Sequence, residues 1–356
     1  MTTQSDLTVP ILGPARFENP LGAKGRSFTN PALRVRYQAR VGSDELEGEE
    51  LLLEKAGPQA RIFFEPATTT AAFVTCGGLA PGLNNTIRSG FYELRHNYGV
   101  RRILGIREGY RGLDPHEGLE PIVLTPESVD DINDMGGTVI GTSRGGRDAV
   151  DMVDYLEAHD IDILFAIGGD GTQRGAHAVA TEALRRGSDR SIVGIPKTID
   201  NDVPFVYMSF GYATALEGAA QVLRQAHVEA RSHHNGVGLV KLMGRDAGFI
   251  AAGAAVAAQE ANFVLVPEVR FPLDGPGGFL EALEQRLLSR HHAVVVVAEG
   301  AGQHLFEAGH ASTDASGNRR YRDIGIFLRD RIREHLQERE IGNTVKYFDP
   351  SYSIRS

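Results

Sequence analysis

Three carboxylates carry the chemical promise of this chain. Asp200 and Asp202 stand two residues apart in Gly194-Ile-Pro196-Lys197-Thr198-Ile199-Asp200-Asn201-Asp202, and Asp170 stands between glycines in Gly168-Gly169-Asp170-Gly171-Thr172-Gln173. An apolar run, Ile163 to Ile167, leads into those glycines, and helix-permissive sequence follows. A strand that ends in glycines before a helix lets backbone N–H groups approach a phosphate with no Cβ in the way. Asp170 is placed to bridge such a phosphate to the protein through a divalent metal. On an extended segment residues i and i+2 face the same way, so one member of the 200/202 pair can take a proton from a hydroxyl while its neighbour helps hold the metal. An Asx-type turn capping the next segment is the other use of the same string.

Two further glycine corners share the first half of the chain. Thr75-Cys76-Gly77-Gly78-Leu79-Ala80-Pro81-Gly82 fits a phosphate loop or an ordinary strand-to-helix turn. Gly141-Thr142-Ser143-Arg144-Gly145-Gly146-Arg147 combines glycines with two arginines, which suits phosphate recognition and equally a solvated turn.

The elements that must position these corners alternate. Strands are expected over 71–75, 101–106, 161–167 and 191–195, with helices over 82–97, 126–134, 147–159 and 172–187. A long amphipathic run over 212–232 is expected to link two halves. The rhythm then restarts, with strands over 237–241, 263–266, 293–298 and 345–347 and helices over 246–259, 278–289 and 324–339. Strands alternating with helices specify βαβ units. The expected fold is α/β, with two Rossmann-like three-layer α/β/α domains, mostly parallel sheets and a cleft between them. Residues 1–70 read as an N-terminal extension, 71–211 as a nucleotide-binding domain to which 343–356 returns, and 212–342 as a second α/β domain. The polar loop 303–321 reads as exposed.

Composition narrows the function classes. The chain of 356 residues carries 37 basic and 46 acidic side chains, a net charge of −9, which argues against a general nucleic-acid binder. One cysteine, Cys76, rules out an internal disulfide framework and fits a reducing, cytoplasmic compartment. The longest apolar runs, such as Ala293 to Ala298, are too short to span a bilayer as a helix.

In combination, Gly-Gly-Asp-Gly-Thr, Pro-Lys-Thr-Ile-Asp-Asn-Asp, Lys241-Leu242-Met243-Gly244-Arg245, Val266-Pro267-Glu268, Ala298-Glu299-Gly300 and Asp349-Pro350-Ser351-Tyr352-Ser353-Ile354-Arg355 resemble the 6-phosphofructokinases from about Lys55 onward. Gln173, Lys197 and the Asp-Pro-Ser-Tyr string resemble the subgroup that includes plant and trypanosomatid enzymes. The resemblance implies phosphoryl transfer from ATP, with Mg²⁺, to the 1-hydroxyl of fructose 6-phosphate. Asp200 matches the catalytic base, Thr198 a residue beside the transferred phosphoryl, and Arg144 a group that meets transition-state charge. Asp170 and Asp202 match the carboxylates near Mg²⁺. Gly77, Gly78, Gly169, Gly171, Thr172, Gly175 and Lys197 match the nucleotide-phosphate region. Met243, Gly244, Arg245, Glu268, Tyr352 and Arg355 match the sugar side, Arg355 near the 6-phosphate, and the resemblance thereby implies that 212–342 is a sugar-phosphate-binding domain.

Family members that use pyrophosphate typically carry a second Asp where this chain has Gly171, and Gly171 leaves room for the α-phosphate of ATP; Lys197 occurs in pyrophosphate users and in the ATP-using subgroup alike. Where many bacterial members have an arginine for the sugar phosphate, this chain has Gly236, and Ser232, His233 and His234 are the neighbouring candidates. The family also implies a homo-oligomer, dimer or tetramer, with no nucleic-acid or membrane partner. A pyrophosphate-dependent enzyme is one alternative, and because members continue past the Ile-Arg-Ser string, a truncated, catalytically silent member is the other.

Overall fold

The computed structural model describes residues 7–37, 51–306 and 320–355. The expected exposed loop at 303–321 falls outside the described residues from 307 to 319. The extension contributes four short strands, β1 (Phe17–Glu18), β2 (Arg34–Arg36), β3 (Leu52–Glu54) and β4 (Arg61–Ile62), paired antiparallel as β1 with β4 and β2 with β3. It docks on the main body through Lys24, whose Nζ donates to His96 O and to Asn97 Oδ1, and through the ring of Tyr37, which meets Phe205.

Regular alternation begins with β5 (Thr70–Thr75), every residue of which is buried. It is followed by α1 (Leu83–Tyr92), β6 (Arg102–Ile106), β7 (Ile122–Val123), α2 (Pro126–Val129), α3 (Ala149–Ala158), β8 (Ile163–Gly168), α4 (Asp170–Arg186) and β9 (Ser191–Pro196). These strands form one sheet in the order β7-β6-β5-β8-β9, parallel except for the two-residue edge strand β7. Period-two alternation sends Ala72 and Val74 to the face covered by α3 and α4, and Ala71 and Phe73 to the face covered by α1. That makes three layers.

The linking run is α5 (Tyr212–Arg231), and the second half adds β10 (Gly236–Leu242), α6 (Phe249–Ala258), β11 (Phe263–Leu265), α7 (Phe279–Arg290), β12 (His292–Ala298), α8 (Ile324–Glu338) and β13 (Thr344–Phe348). The second sheet runs β11-β12-β10-β13, all parallel. Its central strand β12, His-Ala-Val-Val-Val-Val-Ala, is an unbroken apolar run, as a strand covered on both faces requires. The helix α5 buries a row of small residues, Ala215, Ala219, Ala226 and Ala230. It lies so close to β10 that a Cβ on Gly238 would stand 2.6 Å from Ala226 O, and one on Gly236 2.1 Å from Ala230 O.

Three expectations need adjustment. The helix expected over 82–97 leaves α-geometry after Tyr92 and finishes as a π-turn, Glu93–Tyr98, stopped by Gly99 at φ 83°. The helix expected from 172 starts at Asp170, because extended Gly169 ends β8 and frees the next residue to open the helix. The segment 343–356 was expected to return to the first domain. Its strand β13 instead pairs with β10, Gly236 opposite Thr344, and extends the second sheet.

Candidate active site

A cleft of 680 Å³ opens at the carboxyl ends of both sheets and takes its walls from each. That is where open parallel sheets place ligands, since the loops leaving the strands and the N-termini of the following helices converge there. A hollow of 710 Å³ bounded by Arg333, Gln337, Glu340 and residues 341–346 lies where β13 starts, at the opposite edge of the second sheet, away from the glycine corners.

The first corner follows β5. Gly77 sits at φ 83° and donates its N–H to Ser143 O at 3.0 Å, while Thr142 Oγ1 donates to Gly77 O at 2.9 Å. Thr75 Oγ1 donates to Gly141 O at 2.7 Å, so the first two corners are tied into one unit. In the corner after β8, a Cβ on Gly168 would stand 2.1 Å from Thr172 Oγ1, and one on Gly175 2.5 Å from the Tyr110 ring. Gln173 Nε2 donates to Gly168 O at 2.9 Å and Ile195 O at 3.2 Å, which binds this corner to β9. Above Gly171 there is open space, with no atom within 4 Å of a built Cβ. The N-terminus and the dipole of α4 thus meet the cleft beside an unobstructed glycine.

The acid pair follows β9. Asp200 is 8% exposed, and its backbone N–H donates to Thr198 Oγ1 at 3.2 Å. Thr198 Oγ1 in turn lies 3.3 Å from Asp200 Oδ2 as a donor. Asp200 Oδ1 is buried without a hydrogen-bond partner. Burial, with repulsion from Asp202 and Glu299, pushes the Asp200 carboxyl up to about 7. Asp202 Oδ1 is likewise buried and unpartnered, while Oδ2 lies 3.6 Å from Arg245 Nη1. Burial raises Asp202 and Arg245 opposes the rise. The acids are therefore not used up as turn caps; the following loop is pinned instead by Asn201, whose Oδ1 accepts from Ser209 N at 2.8 Å.

Lys197, 3% exposed, donates to Cys76 O at 3.3 Å and to Gly78 O, joining the exit of β9 to the first corner. Burial brings its ammonium down to about 8. Over the same corner, a Cβ on Gly78 would stand 3.0 Å from Arg355 Nη1 and 3.5 Å from Arg144 Nη2. Arg355, expected near a sugar phosphate, is thus brought to the first glycine corner, its guanidinium 4.3 Å from the Tyr352 ring centroid.

Met243, Arg245 and Glu299 supply the wall from the second sheet. Arg245 holds φ 54°, and Glu299 Oε1 accepts its N–H at 2.9 Å and that of Gly244 at 3.3 Å. Gly244 and Glu268 stand behind the lining. Glu268 Oε1 accepts from Gly248 N at 2.8 Å and so supports the start of α6. Ser232, His233 and His234 precede β10 and lie at the opposite edge of the sheet; His234 stacks on His291 there, 5.7 Å between centroids. Sequence reasoning assigned no role to Glu299, Tyr110 or Tyr321, which line the cleft. The Ala298-Glu299-Gly300 string carried a signal for the first, and nothing in the local sequence singled out the tyrosines.

A hard divalent cation needs oxygen donors, and the unpartnered Asp202 Oδ1 with the carboxylate of Asp170 offers them. Asp170 is paired with Arg174 at 2.6 Å, an exposed i,i+4 bridge that yields readily. Asp170 lines the cleft and Asp202 stands just behind the lining, so the two would be the carboxylates to hold such an ion.

Comparison with known sequences gives one picture. The Phosphofructokinase family model matches residues 70–355. The chain is 46% identical over 363 residues to the ATP-dependent 6-phosphofructokinase of Borreliella burgdorferi, covering 99% of this chain and 81% of that protein. It is 44% identical over 365 residues to the ATP-dependent 6-phosphofructokinase of Trypanosoma brucei brucei, with 99% and 74% covered. It is also 44% identical over 339 residues to ATP-dependent 6-phosphofructokinase 7 of Arabidopsis thaliana, with 92% and 69% covered. Among solved structures, a pyrophosphate-dependent phosphofructokinase from Marinobacter aquaeolei superposes with a TM-score of 0.65 at 24% identity, covering 81% of this chain and 69% of that one. That likeness speaks to fold.

Proposed function

The chain belongs to the phosphofructokinase family, and on that premise we propose that it transfers the terminal phosphoryl group of ATP to the 1-hydroxyl of fructose 6-phosphate, giving fructose 1,6-bisphosphate. The observation that carries the reading is Asp200: a buried carboxyl held near neutrality, with one oxygen unpartnered, on a cleft shared with three glycine corners.

Phosphoryl transfer asks a protein for positioning and charge neutralisation more than for covalent help. The side-chain-free corners at Gly77, Gly78, Gly169 and Gly171, with Thr172 and the N-terminus of α4, leave room for the donor phosphates, and Gly175 lets Tyr110 pack beneath them. Lys197 fixes the first corner and adds positive charge there. Arg144 and Arg355, converging over Gly78, meet the charge that builds on the transferred group, and Thr198 stands beside it. Asp200 orients the sugar hydroxyl and accepts its proton. Met243, Gly244, Arg245 and Tyr352 shape the sugar side, and Glu268 supports it from behind. Asp170 and Asp202 would hold Mg²⁺, which when bound offsets phosphate charge.

ATP is favoured over pyrophosphate by the open space above Gly171, where a side-chain carboxylate would crowd and repel an α-phosphate. The named relatives support the same donor. A homo-oligomer, dimer or tetramer, is supported by exposed apolar side chains at Tyr207, Met208, Phe210, Phe249 and Val256. No described helix is long and apolar enough to cross a membrane, which accords with a cytoplasmic enzyme.

The test is a coupled assay of the purified chain with fructose 6-phosphate and Mg²⁺, run with ATP and with pyrophosphate. Product with ATP is expected. Product with pyrophosphate alone overturns the donor assignment, and none with either donor points to a silent family member.

A further inference from the structure

Asp202 sits at the start of a loop, residues 201–209, whose backbone is unusual. Asn201 holds φ 54° and Phe205 holds φ 64°. Asparagine visits the left-handed region readily, but a bulky aromatic residue does so only when its surroundings enforce it. The loop's own hydrogen bonds pin its two ends. Asn201 Nδ2 donates to Tyr207 O at 3.1 Å, Ser209 N to Asn201 Oδ1 at 2.8 Å, and Ser209 Oγ to Thr198 O at 2.5 Å. One further bond, from Val206 N–H to Val203 O at 3.3 Å, closes a turn with Pro204 and Phe205 at its centre, and the positive φ this turn asks of Phe205 is one that ordinarily favours glycine.

The brace comes from the N-terminal extension. The ring of Tyr37 lies 4.7 Å from that of Phe205, tilted by 58°, a favourable aromatic arrangement. Tyr37 is itself held at the end of the β2–β3 pair, where its N–H donates to Leu51 O at 3.0 Å. We propose that Tyr37 is a positioning residue for the acid pair: its ring holds Phe205 in the left-handed conformation and so fixes Asp202 relative to Asp200 and Arg245. Tyr37 is not among the residues lining the cleft. The inference rests on the proposed phosphoryl transfer for its kinetic consequence, and on the loop geometry alone for its dynamic one.

The experiment uses the full chain with Tyr37→Ala, Tyr37→Phe, Phe205→Gly and the double variant Tyr37→Ala/Phe205→Gly. Steady-state kinetics are measured against Mg²⁺ and both substrates, together with hydrogen exchange of residues 201–209. Tyr37→Ala is expected to lower kcat about tenfold or more and to raise the half-saturating Mg²⁺ concentration, with KM for the sugar within about twofold, because a small displacement of a reacting constellation is costly. Exchange in 201–209 rises in the same variant. Tyr37→Phe, which keeps the ring, restores both readouts. Glycine takes φ 64° without strain, so in the Phe205→Gly background Tyr37→Ala changes neither readout further.

If the unmodified chain transfers no phosphoryl group, the functional reading fails and exchange alone decides the brace. Unchanged exchange in Tyr37→Ala overturns the proposal. So does a loss of kcat that Phe205→Gly leaves equally large.

Discussion

Arg245 and Asp202 lie 3.6 Å apart although they leave different sheets, Arg245 after β10 and Asp202 after β9. The pair crosses the cleft and gives the two halves a shared electrostatic contact beside the acid that is to accept a proton. It also opposes the rise that burial imposes on the Asp202 carboxyl. The site is thus built across the junction, and its behaviour under substitution follows from that.

Replacing Asp200 by Ala removes the carboxyl proposed to accept the sugar's proton. Turnover is expected to fall by about 10²- to 10⁴-fold, with fructose 6-phosphate affinity largely kept, since the sugar-side wall is untouched. Stopped-flow turnover and calorimetric titration measure the two quantities separately. Near-normal turnover would defeat the assignment of the base.

Gly171→Asp places a carboxylate in the open space beside the donor phosphates. Like charges set against one another cost several kcal/mol, so KM for ATP is expected to rise by about a hundredfold or more. Pyrophosphate, which has no α-phosphate to repel, is penalised less. The ratio of kcat/KM for the two donors is the readout, and an unchanged ratio removes Gly171 from donor selection.

Lys197 makes a pH prediction. Its folded value is about 8, below the unfolded value of about 10.4, so the unfolded chain binds more protons between the two. Stability from this group is therefore complete above the unfolded value and is lost as pH falls through about 8. Relative to Lys197→Met, the unmodified protein is expected to gain melting temperature between pH 7.5 and 10, and thermal unfolding at both pH values checks the sign. A relative loss would show that the lysine is not desolvated as described.

Lys241 is half-buried between Asp323, at 2.9 Å, and Asp349, at 2.8 Å. It ties the end of β10 to the N-cap of α8 and to the segment after β13. Lys241→Met leaves two carboxylates facing each other and should destabilise the protein by about 1–3 kcal/mol, less than a fully buried pair because both acids are partly solvated. Adding Asp349→Asn should recover part of the loss. Chemical denaturation of the single and double variants reads this coupling, and strict additivity would contradict it.

Much of this was legible because the governing patterns are local. The apolar runs ending in Gly77-Gly78 and Gly168-Gly169 specify buried strands leaving into phosphate-sized corners, and both corners stand where the alternation puts them. What escaped reading depends on partners remote in the chain. Nothing in Thr344–Phe348 says which sheet edge it will join; the free edge of β10 decides it. Glu268 carries an acid suited to a sugar hydroxyl, but the N–H of Gly248 takes one of its oxygens. Glu299 works by accepting backbone N–H groups from Gly244 and Arg245, a role that no side-chain pattern announces. The aromatic contact between Tyr37 and Phe205 belongs to the same class.

The glycines of β10 let the backbone of α5 lie directly against the strand. Any side chain there would force helix and sheet apart, and without one the two backbones meet directly. Helix and strand therefore form one thin slab, and Met243 and Arg245, which leave the end of that strand, take their position from it.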